Sequence, residues 1–195
     1  MGSEGPAGPA KPRERILEVA YDLFSRRGIR AVGVDEVIAR SGVAKATLYR
    51  HFPSKDELVL AFLRLREERW TLGMVAAEAR RRGATPTEQL LAIFDVFDDW
   101  FRTPGFDACS FINVLLEMRP EHPLGRASIH YLENIRGLVR GLAEEAGLSR
   151  AEEFARSWHI LMKGSIISAT EGDADAARRA KGMARYLIAD HRAPV

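Results

Sequence analysis

The chain has a single cysteine, Cys109, in 195 residues. No internal disulfide can staple it, and a lone thiol reads as a protein of a reducing compartment, the cytoplasm. No run of about 18 apolar residues occurs, which excludes a membrane-spanning helix. The opening stretch MGSEGPAGPAKPRER has no apolar centre and does not read as a secretory signal. Charge of one sign is also missing. The chain carries 29 Lys and Arg against 27 Asp and Glu, a net +2, which neither demands nor forbids nucleic acid because position matters more than the sum. Glycine and proline cluster instead of repeating, so collagen-like and low-complexity readings fall away. Strand signals are scarce: no segment alternates with period two, and no Asn-Gly or Asp-Gly turn separates apolar runs.

What is present is helical periodicity. Residues 1–11 are Gly, Pro and Ala with little else, and read as a flexible arm. From Arg13, the residues Ile16, Val19, Ala20, Leu23 and Phe24 recur at spacings of three and four, one face of an amphipathic helix that Gly28 ends. Val34, Val37 and Ile38 mark a second helix and KATLYRHF a third, stopped by Pro53. Ser54 with Glu57 opens a long helix through Arg82, with a break at Gly73. Thr85 with Glu88 opens the next, Ser149 with Glu152 opens another, and Asp173 caps the last. The expectation is an all-α chain of about nine helices. Its divisions would be an arm (1–11), an N-terminal domain (12–60, with a motif at 34–53) and a larger C-terminal domain (61–195).

Two short helices about Ser41-Gly42-Val43 read as a helix-turn-helix. Val43, Leu48 and Phe52 can pack inward, leaving Lys45, Ala46, Thr47, Tyr49, Arg50 and His51 for solvent or a partner. Those are side chains that meet a phosphate backbone. Ala46 and Thr47 are small enough for close approach to base edges, and Lys45 and Arg50 reach guanine O6 and N7. Lys55 adds a cation beside a helix start. From periodicity alone, a plain three-helix pack with a solvated polar face reads the same way.

The stretch is more specific than its period. Gly28, Val34-Asp35-Glu36, the run from Gly42 through Phe52 (Gly-Val-Ala-Lys-Ala-Thr-Leu-Tyr-Arg-His-Phe) and Lys55-Asp56-Glu57-Leu58 together resemble the DNA-binding domain of the tetracycline-repressor (TetR) family. The resemblance is strong over about residues 13–60. It implies a homodimer, two recognition helices in successive major grooves, a palindromic double-stranded operator, and a helical domain that binds a small-molecule inducer. By position it implies phosphate contacts from Lys45, Thr47, Tyr49, His51 and Lys55, with residues 45–47 and Arg50 nearest bases. Gly33 and Ala44 stand where the family often has hydroxyl caps.

In the C-terminal part the expected ligand set is Phe97, Trp100, Phe101, Phe111, Asn113, Glu117, Phe154, Trp158, His159 and Met162, an apolar chamber with few polar groups. An aromatic stripe at helical spacing is more often plain core than a ligand box, and His159 more often a satisfied core histidine. The inducer would be apolar. Gly164, Ser165, Ser168, Met183 and Leu187 are expected at a dimer face of two helices per chain. Cys109, near a helix start, reads either as a redox-sensitive thiol or as a buried inert one. Glu117, His122, His130 and His159 form no HExxH motif, and the chain has no P-loop or GxSxG elbow, so no enzyme, cofactor or metal is expected. A DNA-binding protein without small-molecule input stays open as the alternative.

Overall fold

The computed structural model describes residues 11–192. Most of the expected arm over residues 1–11 lies outside the described residues. Among those described, nine helices carry the fold. They are α1 (Pro12–Ala31), α2 (Val34–Ser41), α3 (Lys45–His51), a long α4, α5 (Pro86–Phe101), α6 (Ser110–Met118), α7 (Pro123–Glu145), α8 (Ala151–Thr170) and α9 (Ala176–His191). α4 runs through residues 55–82 as Lys55–Arg66, a π-helical stretch Glu67–Ala76, and Ala77–Arg82. No strand is present among the described residues; the expected all-α class is what folds.

Local chemistry sets most of the helix starts. The Ser54 hydroxyl accepts the Glu57 N–H at 3.1 Å at the head of α4. Thr85 and Glu88 cap each other reciprocally at α5, with Pro86 in its first turn. Two expected starts shift. The Ser149 hydroxyl donates to the His191 carbonyl at 2.9 Å instead of capping, and α8 begins after Arg150 in a left-handed conformation (φ 52°). Asp173 accepts the Asp175 N–H at 3.0 Å, and α9 begins at Ala176. Gly73 does not break α4; it sits inside the π-helical stretch.

α1–α3 and the first turns of α4 form a small head. Its centre is Phe62 of α4, fully buried, with Phe24 and Tyr21 of α1 edge-on at 5.5 and 5.6 Å. Removing such a ring costs about 3–5 kcal/mol. α4 then leaves the head and continues into the C-terminal body. There α5 lies between α4 and α9, α7 packs on α6 and α8, and α8 pairs with α9.

Candidate functional site

α2 ends where Gly42 enters the left-handed region (φ 64°, ψ 29°), and its N–H donates to the Ile38 carbonyl at 3.1 Å. That conformation is strained for most residues bearing a Cβ. α3 follows, with Val43, Leu48 and Phe52 buried as expected. Lys45, Ala46, Tyr49 and Arg50 are exposed, and Thr47, His51 and Lys55 are half-buried. All seven side chains expected to face DNA are thus accessible to a partner. Ala44 makes no side-chain cap; its carbonyl takes the Thr47 and Leu48 N–H groups at 2.9 and 3.2 Å.

The acidic residues at the start of α2 already have partners. Glu36 Oε1 meets Arg27 at 2.6 Å and Arg40 at 3.1 Å, and Asp35 stands 3.4 Å from Lys45. The Asp35–Lys45 pair is open to solvent and worth about 0–1 kcal/mol, so it holds Lys45 only weakly.

The head is joined to the body by more than α4. Gly28 interrupts α1 at φ 75°, ψ 163°, and one further turn follows it to Ala31. The Glu117 carboxylate of α6 sits at that kink and accepts the Arg30 N–H at 3.0 Å. Its other oxygen occupies the space of a Gly28 side chain, 2.6 Å from where a Cβ would stand. His122 makes a second link. Its Nδ1 accepts the Leu124 N–H at 3.2 Å, which puts the ring proton on Nε2, 3.7 Å from Asp56 of α4.

The profile of bacterial regulatory proteins, tetR family, matches residues 16–62, the segment that forms this head. A TetR-family transcriptional regulator from Streptomyces coelicolor, SCO4454, superposes with a TM-score of 0.84 at 29% identity, over 93% of this chain and 96% of that one. The chain is similar to TetR-family regulators, in sequence over residues 16–62 and in fold over 93% of its length. A second regulator structure, from Streptomyces avermitilis, superposes at TM-score 0.73 with 27% identity over 93% of this chain and 98% of its own. Among curated relatives, the transcriptional activator FasR of Mycolicibacterium smegmatis is 34% identical over 108 residues, 51% of this chain and 48% of FasR. The regulator QacR of Staphylococcus aureus is 36% identical over 58 residues, 30% of this chain and 31% of QacR. The chain thus spans about half the length of FasR and less of QacR. These relatives are named transcriptional regulators, and the four candidate acid–base residues of this chain are dispersed. Glu117 and His122 join head to body, His130 is exposed, and His159 is buried. Among the described residues no group of His, Cys, Asp or Glu gathers as metal ligands.

In the body of the chain the aromatic residues touch one another. Trp100 lies 4.7 Å from Trp70, 5.6 Å from Phe97 and 4.8 Å from Phe106. Phe94 joins that group to Trp158 at 5.2 Å. Phe101 closes one side, 5.0 Å from Phe106. Phe154 lies further off, between Trp158 and His191, and Phe111 stacks on Tyr131 at 5.2 Å. Met162 is buried on α8, and Asn113 is half-buried on α6. Of the expected ligand set, Glu117 is placed elsewhere, at the α1 kink, because a backbone N–H there lacks any other acceptor. Burial drives His159 down to about 3, helped by the charges of Lys163 and Arg136, so its ring is neutral near pH 7. Cys109 is buried, and burial pushes its thiol up.

α8 and α9 present a groove of about 300 Å³ with Gly164, Ser165, Ser168 and Met183 in its walls. A second of about 400 Å³ runs on past Met183 to Leu187. Ile160, Ile167, Met183 and Tyr186 are exposed here, Tyr186 to 81%. Sequence reasoning missed Ile160 and Tyr186. Their signal was available: apolar residues off the buried stripe of two consecutive helices.

Proposed function

We propose that the protein is a dimeric, sequence-specific DNA-binding repressor, cytoplasmic, that leaves a palindromic operator when a small lipophilic ligand binds its C-terminal body. One observation carries the reading: α3 buries Val43, Leu48 and Phe52 and offers Lys45, Ala46, Thr47, Tyr49 and Arg50 outward. A seven-residue helix is about 10 Å long and fits across a major groove. Lys45, Thr47, Tyr49, His51 and Lys55 hold phosphates, and Arg50 reads a base edge. Dimerisation through the exposed apolar face of α8 and α9 supports this reading, because it sets two heads at a fixed separation for two half-sites. Gly164, Ser165 and Ser168 permit close helix approach there, and Met183 and Leu187 bury against the partner.

Release then needs a ligand that binds one head spacing more tightly than the other, since equal affinity shifts nothing. α4, the Glu117–Arg30 bond and the His122–Asp56 contact are the routes by which a change in the body moves the head. The test is selection of binding sites from random duplex DNA by the full chain, with a Lys45→Ala, Tyr49→Phe protein in parallel. The reading expects a palindrome from the native chain alone. Recovery of no preferred sequence would favour a DNA-binding protein without small-molecule input. FasR is named an activator, so a promoter-reporter assay with the selected site decides the sign of regulation.

A further inference from the structure

The joint between head and body is not fully packed. A cavity of about 230 Å³ opens where the two meet. Ile29 and Arg30 of α1 and Lys55, Asp56 and Val59 of α4 face Met118 of α6 and Leu124 of α7 across it. It lies between the two polar links of the joint. The Arg30 N–H donates to Glu117, the neighbour of Met118, while Asp56 faces the His122 ring that accepts the Leu124 N–H. Each link therefore borders the cavity through a residue that lines it. Folded interiors leave few gaps larger than a water molecule, and a void lined by apolar groups holds water poorly.

The walls divide by polarity. Ile29, Val59 and Leu124 are buried and Met118 is half-buried, an apolar floor supplied by head and body together. Arg30 is exposed and Lys55 half-buried, which sets two cations toward solvent. Among the described residues the one ionic contact of the lining groups is Asp56 with His122, so Arg30 and Lys55 have no acidic partner. Two cations against one carboxylate leave a positive mouth over an apolar floor, a pattern that favours an amphipathic anion. The volume is below the roughly 300–1,000 Å³ of drug-sized sites, so the occupant is small. None of the aromatic rings of the body lines this cavity, which is separate from the aromatic interior.

We infer that this cavity is a second ligand site, for a small organic carboxylate. Its apolar body lies against Ile29, Val59 and Leu124, and its carboxylate meets Arg30 and Lys55. A planar carboxylate matches the guanidinium fork. Lys55 is also one of the phosphate contacts in the proposed function, and on that reading ligand and DNA compete for it. Linkage makes the antagonism reciprocal: each weakens the binding of the other by the same factor.

The test uses the full chain with benzoate and, as its neutral counterpart, benzamide. The methionine methyl groups are labelled with carbon-13 for magnetic resonance, and Met118→Leu assigns the signal that reports the cavity. Benzoate is expected to shift the Met118 methyl saturably and to leave the Met183 methyl of α9 in place. Benzamide should bind at least tenfold more weakly, and Arg30→Gln should remove that preference. Lys55→Gln, at the other cation, should do the same if Arg30→Gln does not fold. Benzoate should weaken binding of the selected duplex, and the duplex should weaken benzoate binding equally. An unmoved Met118 methyl, equal binding of benzoate and benzamide, or a preference that survives both substitutions overturns the site. A Met118 shift without any change in duplex affinity upholds the site and overturns the competition for Lys55. Failure to bind any duplex overturns the DNA reading alone, since the Met118 signal is read without DNA.

Discussion

The Glu117 carboxylate accepts the Arg30 backbone N–H at 3.0 Å, closing a contact between residues 87 apart in the chain. It fills the notch that Gly28 leaves in α1, where an added Cβ would stand 2.6 Å from Glu117 Oε1. A side chain at Gly28 therefore meets two obstacles, the carboxylate and its own positive φ of 75°. Gly28→Ala should lose about 1–3 kcal/mol of unfolding free energy. Glu117→Ala should lose about 1 kcal/mol, the worth of one partly exposed charge-assisted bond. The double variant should be more stable than the sum of the two losses predicts, because the clash is then absent. Urea unfolding of the four proteins measures this, and strict additivity would refute the notch.

Protonation of His159 should oppose folding. Its pKa falls from an ordinary value near 6.5 to about 3 in the folded chain. Between those values the unfolded chain binds the extra proton, so stability rises with pH across that window. As pH drops below about 6.5 this group alone removes stability at up to about 1.4 kcal/mol per unit, and the loss levels off below the folded value. His159→Gln should flatten the profile between pH 6.5 and 4 relative to the native chain, with the two curves parallel above pH 7. Parallel curves at every pH would place the ring in contact with water.

Whether a partner subunit covers α8 and α9 is directly measurable. Met183 is 58% exposed between Ile160 and Tyr186, and patches of that kind mark interfaces. Met183→Glu should shift the chain to monomer in sedimentation velocity, leave its helical circular dichroism intact, and weaken operator binding at least tenfold. A native chain that sediments as a monomer at micromolar concentration would remove the dimer from the account.

The helix count and the inward set of α3 were legible because both follow from local pattern: Val43, Leu48 and Phe52 recur at helical spacing, and Ser54 and Thr85 carry their own caps. The misread places share one cause. Ser149 has a capping sequence, yet the His191 carbonyl 42 residues away takes its hydroxyl. Gly28 reads as a helix end, but Glu117 satisfies the backbone beyond it and a further turn persists. The π-helical register of residues 67–76 leaves no compositional trace, since it changes which carbonyl each N–H meets and not which residues are apolar. At the candidate site, the outward residues of α3 were readable from spacing. The joint at Gly28 was not, because it brings together α1 and α6, 87 residues apart in the chain.

The central claim is that α3 reads DNA, and a salt titration with the selected duplex tests it most directly. For the native chain, the logarithm of affinity should fall linearly with the logarithm of salt concentration. Lys45→Ala should weaken binding to every sequence alike and reduce that slope by about one. Arg50→Ala should cost about 1–3 kcal/mol on the selected site and relax the preference at one base pair of each half-site. If both variants bind the selected and a scrambled duplex as the native chain does, with the same slope, the reading surface lies elsewhere and the account is wrong.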